Sequence, residues 1–219
     1  MKIKAIITGT TGMVGEGVLH ECLNHSDVES LLVINRKSCN VKHPKLTEII
    51  HDNFYDLTKI EEMLAAYNAC FFCLGTTSVG KSEEEYTRIT FELTKTFADT
   101  LAKLNPDMVF CYVSGVGTDS TEKGKVMWAR VKGRTENYLL KLFSKAYMFR
   151  PGIILPTKGL KNTLPLYKVF APLIPLVKLL FPKYVCTLRE VGVAMINSVT
   201  KGYEKEVLEV RDIKTLAHK

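Results

Sequence analysis

Three glycines with regular spacing, Gly9, Gly12 and Gly15, lie near the start of the chain, between an apolar run and a stretch of helical period. Glycine permits a tight turn and lets a phosphate approach the backbone, and the first N–H groups of a helix attract an anion. The spacing predicts a loop that binds the pyrophosphate of a dinucleotide; the alternative is a glycine turn that binds nothing. The candidate contacts are Gly9, Thr11, Gly12, Met13, Val14 and Gly15.

Two basic residues, Arg36 and Lys37, follow the second predicted strand (30–35). A site specific for NAD has an acid at this point, which binds the ribose 2′-OH and would repel a 2′-phosphate. A guanidinium can instead bind a phosphate through two parallel hydrogen bonds. The pair therefore predicts NADP rather than NAD as the cofactor, unless these are ordinary solvated residues at a strand end.

The elements that position these residues follow an alternating pattern. Short apolar runs that predict strands are separated by longer segments with apolar residues three and four apart, which is typical of βαβ units. We predict an α/β fold with a doubly wound parallel sheet. The predicted strands are 3–8, 30–35, 46–50, 69–74, 108–114, 146–150 and 207–213, and the predicted helices are 13–23, 57–66, 83–104, 125–143 and 187–199.

Length and composition indicate one globular domain with at most a small appendage. The chain has 219 residues, of which 46% are hydrophobic and 24% charged, and these values exclude disordered, collagen-like and disulfide-scaffold proteins. We expect a nucleotide-binding core at 1–155. The proline-rich remainder, 156–219, is expected to form a lid or substrate-side region packed on the same core.

Charge and cysteine usage limit the partners and the compartment. The net charge of +7 comes from scattered Lys and Arg residues without a nucleic-acid-reading motif, so no nucleic-acid partner is expected. The six cysteines lie mostly in apolar runs and predict free thiols in the cytoplasm, and the first residues do not predict a signal peptide. Cys70 and Cys73 point to opposite faces of a strand, and the histidines lack ligand spacing, so no metal site is predicted.

An apolar segment at 164–183 has several interpretations. Lys168, Lys178 and four prolines interrupt it, so it is not predicted to span a bilayer. It could form a substrate lid, the contact surface of a homodimer or a peripheral membrane anchor.

The stretch from Thr8 to Gly15, TGTTGMVG, resembles the nucleotide-binding loop of extended and atypical short-chain dehydrogenases/reductases. Segments 72–77, 131–133 and 149–152 are similar to those of the Tat-interacting-protein-like branch and of bacterial NAD-dependent epimerases/dehydratases. The resemblance covers residues 3 to about 155 and implies a Rossmann fold.

The resemblance also implies further cofactor contacts at the ends of later strands. One pair would bind the adenine edge, a second would lie along the ribose and a third would meet the nicotinamide carboxamide. The first and third pairs could instead form a capping turn and a strand-ending turn. In this order, the pairs are Asp52 with Asn53, Gly75 with Thr76, and Pro151 with Gly152.

The reaction centre of the resembling family contains a Ser and a Tyr-x-x-x-Lys motif. Ser114 and Lys132 fit the Ser and the Lys, which would hold the substrate oxygen and orient the ribose. The residue four before Lys132 is Trp128. An indole can donate one hydrogen bond but has no phenolic proton to exchange, so the usual catalytic acid is absent.

Three explanations are compatible with this replacement. Tyr86, Tyr112 or Tyr138 could supply the proton, the acceptor of the hydride could need no acid, or the protein could bind NADP without turnover. The literal Tyr-x-x-x-Lys, Tyr55 to Lys59, precedes the fourth strand and is wrongly placed. The functional hypothesis is an oxidoreductase or redox isomerase/epimerase that acts on a small carbonyl or hydroxyl compound. Its alternative is a non-catalytic NADP(H) sensor or scaffold at a protein or membrane surface.

Overall fold

The computed structural model describes residues 2–162, 181 and 183–219. Within these residues seven strands form one sheet, in the order β3-β2-β1-β4-β5-β6-β9 once numbered along the chain, and all neighbours are parallel. This doubly wound order confirms the predicted α/β Rossmann class. The strands are β1 (Ile3–Thr8), β2 (Val28–Asn35), β3 (Leu46–Ile50), β4 (Ala69–Phe72), β5 (Val109–Val113), β6 (Lys145–Arg150), β7 (Ile153–Leu155), β8 (Val185–Thr187) and β9 (Val207–Glu209).

Helices cover both faces of the sheet. Side chains alternate along β1, so that Ile7 packs in the core on one face of the sheet and Ile6 packs in the core on the other face. Burial on both faces explains the continuous apolar runs of the central strands. The helices are α1 (Met13–Asn24), a 3-10 helix (Thr58–Leu64), α2 (Glu83–Thr87), a π-helical segment (Arg88–Glu92), α3 (Leu93–Leu104), α4 (Met127–Leu142), α5 (Leu188–Thr200) and α6 (Val210–Ala217).

Two predicted helices differ in type from the observed ones. The segment predicted as a helix at 57–66 is a 3-10 helix, and Asp56 accepts hydrogen bonds from the backbone and the hydroxyl of Thr58 at its start. The single helix predicted at 83–104 is interrupted by the π-helical segment, which inserts a wider turn between α2 and α3. Such insertions are frequent at functional sites.

The strand predicted at 207–213 is wrong beyond residue 209. Glu209 and Asp212 form a reciprocal capping box that ends β9 and begins α6. Val210, Ile213 and Leu216 are buried on one side of that helix, so the apolar spacing is helical rather than alternating.

The C-terminal part shares the sheet and the packing of the N-terminal part. β9 pairs with β6, and α5 lies so close to α1 that a Cβ on Gly17 would stand 2.9 Å from Leu188 Cδ2. β7 and β8 form a separate two-stranded parallel sheet that the sequence pattern did not predict. The boundary at 155 remains a prediction, and the apolar segment 164–183 lies outside the described residues except at 181 and 183.

A buried ion pair joins α4 to β6. Arg150 Nη2 lies 2.5 Å from Glu136 Oε2, with side chains 10% and 1% exposed respectively, and Arg150 Nε donates to both carboxylate oxygens. Arg150 also donates to Ser120 and to Glu209. A buried charge of this kind is tolerated only while its partner is present.

Replacement of Glu136 by Gln leaves the Arg150 guanidinium without its main counter-charge. We expect the free energy of unfolding, measured in urea, to fall by about 3–5 kcal/mol, because breaking a buried pair from one side leaves an uncompensated charge. Glu85→Gln is the matched control, since it removes only an exposed helical pair with Lys81 and should cost about 0.5 kcal/mol or less. Equal losses in the two variants would contradict a structural role for the buried pair.

Candidate functional site

A cavity of about 690 Å³ opens at the carboxyl ends of β1, β2 and β4, where the strand order reverses. Ligands of open α/β sheets bind at such switch points. We call it the first cavity. Its lining consists of Gly9, Thr11, Gly12, Asn35, Arg36, Lys37, Asp52, Phe54, Tyr55, Cys73, Leu74, Gly75, Thr76, Ile89 and Leu93, so eight of the predicted cofactor contacts are brought together here.

The glycine loop after β1 forms one wall of the first cavity and admits no side chain at two positions. Gly9 has a φ of +74°, and a Cβ there would lie 2.7 Å from the Cys73 backbone. A Cβ on Gly15 would lie 2.2 Å from the Gly9 carbonyl oxygen. Gly12 is the N-cap residue of α1 and supplies no side-chain cap, so the first N–H groups of the helix, including those of Met13 and Val14, are available to an anion.

The basic residues after β2 form a second wall. Arg36 and Lys37 are exposed, and within the described part of the chain their side chains have no ion pair or hydrogen bond. Asn35 is buried, and its amide donates to Thr10 Oγ1 at 2.7 Å and to Glu48 Oε1 at 3.0 Å. The strand end is therefore held rigid while the two cations after it remain free to bind a ligand.

Glu48 on β3 organises the loop that carries these cations, and the sequence analysis missed it. Its carboxylate accepts from the Ser38 hydroxyl at 2.6 Å and from the Cys39 backbone at 2.8 Å. Burial opposes its ionisation, but the hydrogen bonds from Ser38, Cys39 and Asn35 outweigh burial and lower its pKa. Its position within a predicted strand was visible in the sequence, whereas its partners across the loop were not.

The predicted adenine contacts lie in different surroundings. Asp52 is exposed and lines the first cavity. Asn53 is beside it, and its side-chain oxygen accepts from the Tyr55 backbone at 3.1 Å, which closes a turn. His51 Nε2 secures the same turn, 2.7 Å from the Asn53 carbonyl oxygen and 2.8 Å from the Asp56 carbonyl oxygen.

Pro151 and Gly152, the predicted nicotinamide contacts, are outside the lining and take part in backbone packing. The Pro151 carbonyl accepts from the Val116 N–H at 3.0 Å. A Cβ on Gly152 would lie 2.3 Å from the Tyr184 carbonyl oxygen, which bonds to the Ile153 N–H. Glycine is thus required here for the contact between β7 and the segment before β8.

Ser114 and Lys132, the predicted reaction centre, meet at the carboxyl end of β5 but do not line the first cavity. Lys132 Nζ donates to the Ser114 carbonyl at 2.9 Å. The Ser114 hydroxyl lies 2.5 Å from Glu136 Oε1 and donates to it. Lys132 and Glu136 are four residues apart on α4, a spacing that would have pointed to Glu136 from the sequence.

Trp128 lies one helical turn before Lys132, in an aromatic cluster with Tyr86 and Phe91. Its indole ring also approaches the loop after β5, since a Cβ on Gly117 would be 3.5 Å from Trp128 Cη2. The tryptophan therefore packs between α4 and that loop.

None of the three alternative tyrosines is among the residues that line the first cavity. Tyr86 and Tyr112 are buried, and burial raises the pKa of both phenols. The Tyr138 hydroxyl donates to the Asp99 carboxylate; burial and this hydrogen bond raise its pKa. Tyr55 does line the first cavity, where its hydroxyl donates to the Arg88 carbonyl at 3.0 Å.

Thiols and acids do not form a metal site in the part of the chain that the structure describes. No group of three or more His, Cys, Asp or Glu residues there could hold an ion. All six cysteines are free thiols, and Cys70 and Cys73 pack in the two opposite cores. Among the described residues, no helix combines the length and apolarity that crossing a membrane requires.

A comparison with protein-family models decides the family. The model of the NAD-dependent epimerase/dehydratase family matches residues 5–136, more than half of the chain. The chain belongs to this family. A search of curated proteins found no match.

Solved structures with a similar fold include the following two enzymes. The Bordetella bronchiseptica enzyme WbmG in complex with NAD superposes with a TM-score of 0.71 at 11% identity, covering 96% of this chain and 73% of that one. UDP-N-acetylglucosamine 4-epimerase from Methanobrevibacter ruminantium M1, in complex with UDP-N-acetylmuramic acid, gives 0.69 at 17% identity, covering 96% and 77%. At these identities the similarity establishes the fold.

Lys132 generates a pH-dependent prediction. Burial lowers its pKa to about 8, although the nearby Glu136 charge raises it in part. In the unfolded chain a lysine has a pKa of about 10.4. Between about pH 8 and this value the unfolded chain therefore binds more protons than the folded protein. The free energy of unfolding rises with pH in this range.

We therefore expect the wild type to gain stability relative to Lys132→Met between about pH 7 and about pH 10, by up to about 3 kcal/mol in urea titrations. Lys201→Met, which removes an exposed lysine, is the control and should show the same pH profile as the wild type. A difference between wild type and Lys132→Met that does not change with pH would refute the lowered pKa.

Proposed function

We propose that this member of the epimerase/dehydratase family binds NADP(H) in the first cavity and catalyses an oxidoreduction or a redox isomerisation, such as an epimerisation, of a small carbonyl or hydroxyl compound. The observation that carries the proposal is the pairing of the uncapped glycine loop with Arg36 and Lys37 in one cavity. Family membership supports a nicotinamide cofactor, and the similar structures support the same fold for it. The free thiols favour a cytoplasmic location.

The preference for NADP rests on charge at the end of β2. The two cations lack partners among the described residues, and Glu48, the acid on the neighbouring strand β3, is committed to Asn35 and the loop backbone. A 2′-phosphate would supply the missing counter-charge, whereas a 2′-OH would leave both cations unpaired. The glycine loop would hold the pyrophosphate, and Gly75 and Thr76 would lie along the ribose.

The chemistry of the cofactor is hydride transfer, and the chain's own residues would handle the substrate oxygen. Because Ser114 donates its proton to Glu136, the lone pairs of its hydroxyl are left to accept a hydrogen bond from a substrate hydroxyl. Lys132 donates a hydrogen bond to the Ser114 carbonyl. Its positive charge would thereby lie close to the substrate oxygen. Trp128 contributes no exchangeable proton near neutral pH.

A non-catalytic sensor or scaffold that binds NADP(H) is the second candidate, and Trp128 in place of the usual tyrosine favours it. Steady NADPH consumption with simple aldehydes, ketones or quinones would contradict this candidate. A loss of that consumption in Lys132→Ala, with NADPH affinity largely retained, would support catalysis at the proposed centre.

The cofactor assignment is tested by titration with NADPH and with NADH, followed by the emission of Trp128, the single tryptophan, and by calorimetry. We expect tighter binding of NADPH in the wild type. Removal of a charge-assisted hydrogen bond costs about 1.5–3 kcal/mol, so Arg36→Ala should weaken NADPH binding about 10- to 100-fold and leave NADH binding nearly unchanged.

Lys201→Ala, which also removes one exposed cation, is the control and should leave both affinities unchanged. Equal affinities for the two cofactors in the wild type would contradict the role of Arg36. No binding of either cofactor would contradict the proposed function.

A further inference from the structure

A second cavity, of about 600 Å³, opens on the same edge of the sheet as the first. Val116, from the loop after β5, and Glu209, at the end of β9, are part of its lining. Glu209 pairs in register with Arg150 at the end of β6. The second cavity therefore lies at the carboxyl ends of β5, β6 and β9, whereas the first lies at those of β1, β2 and β4. No residue lines both cavities.

The lining of the second cavity carries uncompensated positive charge. Lys183, Arg211 and Lys214 face it, and within the described residues their side chains have no ion pair or hydrogen bond. Glu209 is the acid of this lining, but it is bonded to Arg150 Nη1 at 3.3 Å and also caps the first turn of α6. Three cations against this one acid give the lining a net positive charge, which attracts an anion.

The rest of the lining offers apolar surface. Tyr184 is 53% exposed and Val116 is partly exposed, and both line the cavity. The volume of the cavity falls within the range of about 300–1,000 Å³ that is usual for small-molecule sites. A ligand with an apolar body and an anionic end would satisfy both parts of this surface.

The second cavity is adjacent to the proposed reaction centre. Val116 is two residues after Ser114, and its N–H bonds to the Pro151 carbonyl at the end of β6. Arg150 connects the two places directly, since it binds Glu136, the acceptor of the Ser114 hydroxyl, and also Glu209. A molecule in the second cavity would thus lie next to the loop and the ion pair that position Ser114.

We propose that the second cavity binds the substrate, and that the substrate carries a phosphate or carboxylate group held by Lys183, Arg211 and Lys214 with an apolar portion against Tyr184. This inference rests on the proposed function for the identity of the ligand as substrate. The anion site itself does not depend on the cofactor.

The test uses phenyl phosphate and benzoate as anionic probes and benzyl alcohol as their neutral counterpart, with ¹⁵N-labelled full-length protein in NMR titrations. We expect the amide signals of Val116 and Arg211 to shift with the two anions at concentrations at which benzyl alcohol has no effect. Arg211→Ala/Lys214→Ala should weaken binding of phenyl phosphate at least about 10-fold, because two charge-assisted contacts are lost.

The matched control is Arg189→Ala/Lys201→Ala, which removes one arginine and one lysine outside the lining and should retain the wild-type affinity. An equal loss in both double variants, or equal binding of benzyl alcohol, would overturn the proposal. Tight binding to vesicles containing phosphatidylglycerol, sensitive to the first double variant but without any response to phenyl phosphate, would overturn it in favour of a lipid surface.

An NADPH titration of the same samples separates this inference from the proposed function. Anion binding without NADPH binding would retain the site and contradict its role in an NADP-dependent reaction. NADPH binding without anion binding would contradict the second-cavity inference alone. Phenyl phosphate that displaces NADPH would also overturn it, because the two cavities have no residue in common.

Discussion

The pairing of the buried Glu136 carboxylate with Arg150 is the interaction on which the arrangement around Ser114 depends. It receives two donors of Arg150 and the hydroxyl of Ser114, so it fixes α4, the end of β5 and the end of β6 in one arrangement. Arg150 in turn binds Glu209, an acid in the lining of the second cavity. The buried pair thus sets the hydrogen-bonding state of Ser114 and connects it to the wall of the neighbouring cavity.

The shape of the first cavity depends on close backbone contacts rather than on charge. Gly9 and Gly15 allow the loop, β4 and α1 to come together without side chains between them, and this contact leaves the uncapped start of α1 at the edge of the first cavity. The free amide groups there are suited to any dinucleotide. On the proposed function, selectivity between NAD and NADP has to come from the end of β2. There Asn35 and Glu48 bond to each other and leave Arg36 unpaired among the described residues.

The parts of the structure that follow from local pattern could be predicted from the sequence. The glycine loop and the alternation of apolar strands with helices gave the fold class, because both signals lie within short windows. The capping box at Glu209 was equally local, but the apolar run around it suggested a longer strand. The Glu136–Arg150 pair, the loop anchor Glu48 and the β7–β8 sheet depend on contacts between segments that only the folded chain brings together. The π-helical insertion, which places Ile89 in the first cavity, likewise leaves the apolar periodicity unbroken.

Tryptophan at the position of the usual catalytic tyrosine changes the way in which a proton could be handled. The Trp128 indole packs against Gly117, and it cannot exchange a proton at neutral pH. The neighbouring Ser114 already gives its proton to Glu136, and Arg150 pairs with that carboxylate. Ser114 therefore favours a substrate that donates a hydrogen bond, an alcohol, over one that needs to receive it, a carbonyl. On the proposed function, this arrangement favours the oxidation of a hydroxyl group as the first step of the reaction, in which the hydride would pass to NADP+ and the hydroxyl proton to solvent rather than to residue 128.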